Sequence, residues 1–369
     1  MSSSVRNKPL VFGAVLSIAA GMLLLGAGPA SAAPGWTVVV PSGLDNPRHL
    51  SFGPNGQLYV AEAGRGGSTC VSGGPGGPES ESCFGTTSKV TAVDVSTGAT
   101  RTVVDGLFSI AGSDGSFATG ADGLSFMKPR AGHYKGTGPL WVQMSGNTAP
   151  VPPGDNPLLN AGRAQLGQLL RVGDDGTWTA VAPVGDTDRQ WTVDHASLDP
   201  NNPEWPDANP YGIAAAPGRV YVTDAAANTL DLVRPNGSIS VLAYFPNTNL
   251  TQFSDAVPTC VVQTSHGIYV GDLNGQLWRY TGSFTPEHVT LSGDPLASIE
   301  GCATDGNHVY VVDMFGGQVA RIDATGQVTS LAQGLNFPGG VAVGPNHALY
   351  VTNNGVSSET GQIVRLSTS

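Results

Sequence analysis

The sequence predicts an all-β chain folded as a six-bladed β-propeller, and three observations carry that reading. A phrase with one aromatic residue between apolar ones recurs six times: Leu58-Tyr59-Val60, Leu140-Trp141-Val142, Val220-Tyr221-Val222, Ile268-Tyr269-Val270, Val309-Tyr310-Val311 and Leu349-Tyr350-Val351. Each copy follows a glycine-containing turn and precedes another β-like run. The 51 glycines and 27 prolines fall at regular turn positions, which separates this chain from an unpatterned, disordered one of similar composition. A single repeated unit cannot bury its own apolar face, so the copies must share cores with their neighbours.

The first segment stands apart from the repeat. Arg6 and Lys8 precede an apolar run from Leu10 to Leu25, and Ala30-Ser31-Ala32 offers small residues for cleavage. Residues 1–32 therefore read as a secretory signal peptide, without a twin arginine. The apolar run is shorter than the roughly 20 residues a membrane span needs, and no other stretch could cross a bilayer. Residues 33–369 are expected to form one propeller domain, secreted or otherwise extracytoplasmic and monomeric.

Within that domain each blade reads as four strands. Inner strands begin near Pro47, Ala121, Pro210, Pro258, Ile299 and Pro338. Third strands read as Lys89–Val95, Gln168–Val172, Thr229–Arg234, Gln276–Tyr280, Gln318–Ile322 and Gln362–Leu366. The last blade stops one strand short. The missing strand is at the other end: Thr37–Val40, followed by Ser42-Gly43-Leu44-Asp45-Asn46-Pro47, matches the outer strands and exits of the other blades. Pairing of Thr37–Val40 with Gln362–Leu366 would close the ring and remove exposed strand edges.

The aromatic marker is unevenly spaced, and the extra length falls in segments 63–87, 108–120, 143–166 and 185–209. These lack a strand pattern and read as loops, with no helix of consequence required. In a propeller, connections from second to third strand and from blade to blade share one face, so all four insertions should decorate one rim. The opposite turns are tight, as in Gly53-Pro54-Asn55-Gly56 and Pro235-Asn236-Gly237, except for 127–138. Loops on a rigid scaffold are where binding and catalysis concentrate, so the decorated face is the expected functional one.

Composition narrows the function further. Without Arg6 and Lys8 the chain has 15 basic and 28 acidic residues, a net charge of −13. No basic run exists to follow nucleic-acid phosphates. Four cysteines suit an oxidising compartment, and their spacings suggest bridges Cys70–Cys83 and Cys260–Cys302. Cys260 and Cys302 hold the same repeat position in adjacent blades, where inner strands converge.

The connector Asp207-Ala208-Asn209-Pro210-Tyr211-Gly212-Ile213, the inner strand Val257-Pro258-Thr259-Cys260 and the closing Asn336-Phe337-Pro338-Gly339-Gly340-Val341 resemble the ScyD/ScyE family of exported propellers. The likeness covers the whole mature chain. The Leu-Tyr-Val phrase is shared with NHL and SMP-30/gluconolactonase-like propellers. The resemblance implies a fold and export; the family has no well-defined reaction. Streptogramin-lyase-like propellers share the strand pattern, but seven blades are expected there.

Candidate site residues follow from departures from the repeat. Second strands end in Glu62, Asp224, Asp272, Asp313 and Asn353. Their oxygens could bind the backbone of adjacent turns, or two or three could converge on Ca²⁺ or Mg²⁺, as in gluconolactonase-like relatives. Arg48 and His49 stand where blade 6 has Gly339 and Gly340, and Asp122 and Glu300 lie at the same entrance. His49 beside two carboxylates could act as a general base; Arg48 could bind a ligand at the channel mouth or simply neutralise Asp122 or Glu300. Trp191, His195 and Trp205 in the 185–209 loop could stack a ligand or pin the loop. Ser197 lacks a nucleophile elbow, and no phosphate-cradling or dinucleotide motif appears. The sequence thus favours a protein that binds a small molecule, glycan or protein partner on its loop-rich face. A metal-dependent hydrolase or lyase with its site at the channel mouth is the alternative.

Overall fold

The computed structural model describes residues 35–366 except 75–76, 130–132, 201, 203–204 and 248–254. The segment 1–32, read as a signal peptide, lies outside the described residues. Among the described residues no helix is long and apolar enough to cross a membrane.

Six sheets surround a central axis. Their inner strands are Pro47–Phe52, Ala121–Met127, Pro210–Ala216, Pro258–Thr264, Gly301–Thr304 and Gly340–Val343. Each packs against the next, and the sixth packs against the first. The protein is a six-bladed β-propeller. Trp36–Leu44 is the outer strand of the sixth blade and pairs antiparallel with Gly361–Leu366, with Val38 opposite Val364. The ring therefore closes through the N-terminal strand, as the sequence predicts.

The recurring phrase is explained by strand alternation, which sends successive side chains to opposite faces. Tyr59, Tyr221, Tyr310 and Tyr350 are buried in the apolar cluster shared with the following blade, and Trp141 and Tyr269 pack against the equivalent clusters. The valines beside them face the preceding blade. Tyr59 meets Phe126 of blade 2 edge-on at 4.9 Å, and Tyr350 meets Phe52 of blade 1 at 5.3 Å. Each of the six blade interfaces thus owns one apolar cluster built around one phrase.

Glycine in the inner strands has a steric cause. A side chain at Gly123 would fall 2.3 Å from the Tyr211 carbonyl, and one at Gly212 would fall 2.3 Å from that of Thr259. Neighbouring inner strands approach so closely near the axis that most blades tolerate no Cβ there.

The insertions are more ordered than the sequence suggested. Segment 63–87 forms a hairpin, Thr69–Gly74 against an extended third strand Gly77–Val93, bridged by Cys70–Cys83. The outer strand of blade 1 runs on to Ala111, well into the segment 108–120. Two helices also appear, α1 (Pro157–Gln165) in 143–166 and α2 (Val184–Asp194), which covers most of the start of 185–209. α1 starts where Asn156 accepts the Leu159 N–H at 2.9 Å and Pro157 takes the first turn. Leu159 then packs with Phe84 and Phe108 from blade 1. These segments lack a period-2 pattern because they bury short faces against one another.

Candidate functional site

The residue preceding the inner-strand glycine position is the same in register for all blades: Arg48, Asp122, Tyr211, Thr259, Glu300 and Gly339. Four of these form a buried polar layer around the axis. Arg48 Nε lies 3.0 Å from Asp122 Oδ1, and Arg48 also donates to the Ala118 carbonyl at 2.8 Å. The Ser145 hydroxyl donates to Asp122, and the Tyr211 hydroxyl donates to Glu300 Oε1. Glu300 Oε2 is buried without a hydrogen-bond partner.

The charges of this layer follow from its burial. Desolvation opposes the Arg48 charge, but the facing Tyr211, Asp122 and Glu300 outweigh it and raise the guanidinium pKa. Desolvation raises the Glu300 carboxyl to about 7, with Arg48 and the Tyr211 hydroxyl acting against it. Asp122 is raised by burial as well, opposed first by Arg48. His49 is pushed down to about 4, chiefly by burial. Its Nδ1 lies 3.1 Å from the Asp122 carbonyl and its Nε2 3.3 Å from the Glu300 carbonyl. Both ring nitrogens face backbone carbonyls and the ring is buried, so neither is open to solvent.

The structure thus brings together Arg48, His49, Asp122 and Glu300, as the sequence suggested, but seals them from solvent. On the decorated side an apolar cap covers the axis. Tyr211, Val257, Leu273, Met314 and Val356 form its buried part, with Phe117, Phe315 and Phe337 packed against it. These residues come from blades around the ring, so among the described residues an apolar layer lies over the polar one on the decorated side.

The acids at the second-strand ends are not brought to one point. Glu62 accepts the Asp45 N–H at 2.7 Å, Asp224 that of Asn209 at 2.7 Å, Asp313 those of Ala297 and Ser298 at 2.9 Å, and Asn353 that of Asn336 at 2.7 Å. Each therefore clamps the connector that leads into its own blade. Asp272 accepts from Asn274, Gln276 and the Trp278 indole. The second Asp224 oxygen faces Asp188 of α2, beside Asp231; burial, then the facing Asp231 and Asp224, raises the Asp188 carboxyl well above its ordinary range. Among the described residues no three of these acids bring one oxygen each within 4.8 Å of one another.

The rim aromatics interlock. Trp191 stacks on His195 at 4.3 Å, meets Trp205 edge-on at 6.5 Å and tilts against Tyr244 at 6.1 Å. The Trp205 indole donates to the Ala226 carbonyl at 3.0 Å. Trp191, His195 and Trp205 thereby pin α2 and its exit to blade 3.

Open space lies on the other side of the polar layer. The channel holds a cavity of about 340 Å³ among the distal halves of the inner strands, within the range of small-molecule sites. Leu50, Leu124, Ile213, Val261 and Val341 form its apolar wall, and Cys302, bridged to Cys260 of the adjacent blade, lines one side. It opens at the face of tight turns, where Lys128, His133 and Tyr134 from the single long turn line its mouth. The sequence pattern points to the loop-rich face and does not single out Lys128, His133 or Tyr134. The exceptional length of 127–138 on the otherwise tight-turned face was the available signal. Tyr211 and Thr259 were readable by aligning the inner-strand triplets.

No protein-family model matches the sequence, and no curated protein matches it. Solved structures do resemble the fold. A structural-genomics protein of unknown function from Bacteroides thetaiotaomicron superposes with TM-score 0.54 at 11% identity, over 90% of this chain and 75% of that one. A candidate gluconolactonase gives 0.51 at 10% identity, over 92% and 93%. An auxiliary nutrient binding protein from Bacteroides thetaiotaomicron gives 0.51 at 12% identity, over 88% and 69%. At these identities the likeness extends to the fold alone.

Proposed function

We propose that this chain is an exported binding propeller of the ScyD/ScyE kind that holds a small, largely apolar molecule in its channel cavity. The observation that carries this reading is the contrast between the two ends of the axis. Among the described residues the decorated end carries an apolar cluster over a buried polar layer, whereas the tight-turn end has an apolar recess of about 340 Å³. Two disulfides fit an oxidising, extracytoplasmic setting. A protein of similar fold from Bacteroides thetaiotaomicron is described as an auxiliary nutrient binding protein, a role consistent with this proposal. The metal-dependent alternative has less support, because among the described residues the second-strand acids each hold a connector of their own blade and no three of them converge on one point.

The test uses the uncharged fluorophore N-phenyl-1-naphthylamine, which brightens when it leaves water. Wild type should enhance its emission saturably. Ala303→Phe, which adds a ring at the cavity wall, should abolish the enhancement without lowering the melting temperature by more than a few degrees. Equal enhancement by both proteins, or none by wild type, would overturn the reading.

A further inference from the structure

The cavity wall carries a charge asymmetry that runs against the chain as a whole. The full sequence has a net charge of −11, yet among the described residues no aspartate or glutamate lines the cavity. The ends of the inner strands of blades 3 to 6 bring only apolar, alanine, proline, glutamine and threonine positions to it, besides Cys302. Among the described residues its basic side chains are Lys128 and His133, both from the long turn of blade 2.

Lys128 is held in place. Its ammonium donates to the Tyr134 carbonyl at 2.6 Å and, more weakly, to the Phe52 carbonyl at 3.4 Å. An ammonium has three donors, so one remains. Among the described residues Lys128 forms no ion pair, unlike Lys89, which lies 3.4 Å from Glu62 and 3.7 Å from Asp45. A partly buried cation without a counter-ion, fixed by neutral carbonyls at the mouth of an apolar recess, is arranged to receive an anion from outside the protein.

Resting on the channel reading above, we propose that the ligand class is an amphiphilic monoanion, an apolar body carrying one carboxylate, with the carboxylate bound by Lys128 at the cavity mouth and the body among Leu50, Leu124, Ile213 and Val261. Burial pushes the Lys128 ammonium down to about 8. A bound carboxylate favours the charged amine, so binding should take up protons near that pH and weaken above it. Among the described residues the His133 imidazole and the Tyr134 ring, on the same turn, also line the site.

Decanoate and decanol provide the test, each titrated to displace N-phenyl-1-naphthylamine. At pH 7 wild type should prefer decanoate by about tenfold or more, the usual worth of a charge-assisted hydrogen bond. The preference should shrink as the pH rises past about 8. Lys128→Met should retain decanol affinity within about threefold and lose the preference for decanoate. Retained decanol binding shows that the variant is folded, and Lys128→Gln serves if Met proves insoluble. Equal binding of the two ligands by wild type, or a preference that survives both substitutions, overturns the anion assignment and leaves the cavity reading standing. Displacement by neither ligand overturns both.

Discussion

Arg48 and Asp122 meet at 3.0 Å between the inner strands of neighbouring blades, both buried and both on the axis. Glycine or a small residue could stand at either register position, as Gly339 does in blade 6. The pair instead joins Tyr211 and Glu300 in a polar layer that separates an apolar cap from an open recess. Its charge balance makes the first two predictions.

Arg48→Met removes the cation and leaves Asp122 and Glu300 buried beside each other. Breaking a buried pair from one side costs about 3–5 kcal/mol, so the urea midpoint should fall sharply at neutral pH. Lowering the pH, which lets the orphaned carboxyls protonate, should recover part of the loss. A variant as stable as wild type would show that the pair contributes nothing to the ring.

Glu300 sets a pH dependence of opposite sense to the usual carboxylate. Its folded pKa is raised from 4.5 to about 7, so the native state holds its proton longer than the unfolded chain does. Stability from this group is therefore present below about 4.5 and lost as the pH rises towards 7. Glu300→Gln keeps a neutral acceptor for Tyr211 and should flatten that decline. Relative to wild type it should gain up to about 3 kcal/mol at pH 8 and little at pH 4. An equal effect at both pH values in denaturant titrations would remove Glu300 from the account.

Ring closure rests on a strand 326 residues away in sequence from the strand it meets, Val38 opposite Val364. Removing Trp36–Leu44 would expose the edge of Gly361–Leu366 and uncover Ile363 and Val364, both fully buried. The truncated chain should lose its cooperative melt and form oligomers on a sizing column. A monomer with an unchanged melt would mean that the ring does not need its closing strand.

The fold was legible in the sequence because its physics is repetitive. The phrase around Tyr350 alternates faces between two blade interfaces, and the missing strand at the end could be found by matching Thr37–Val40 to the outer strands. The helices escaped notice for the opposite reason. α1 and α2 bury few residues each, so their sequences carry no sustained 3.6-residue period. Pro157 after Asn156 was the local sign of a helix start. At the site, Arg48, His49, Asp122 and Glu300 stood out as departures from glycine, and the structure does assemble them. Their accessibility was not legible, since the cap over them is built from single residues in separate connectors, such as Phe117, Met314 and Phe337. The cavity was hidden for a related reason: its wall uses the same apolar positions as the blade interfaces, and only the turn carrying Lys128 breaks the pattern.

The central claim is that the ligand sits in the channel on the tight-turn side of the polar layer. Crystals grown with 10-bromodecanoate locate it through the anomalous signal of bromine. The account predicts one peak inside the channel among Leu50, Ile213 and Val261, with the carboxylate at Lys128. A peak at the rim beside Trp191, or none in the channel at saturating ligand, would contradict it.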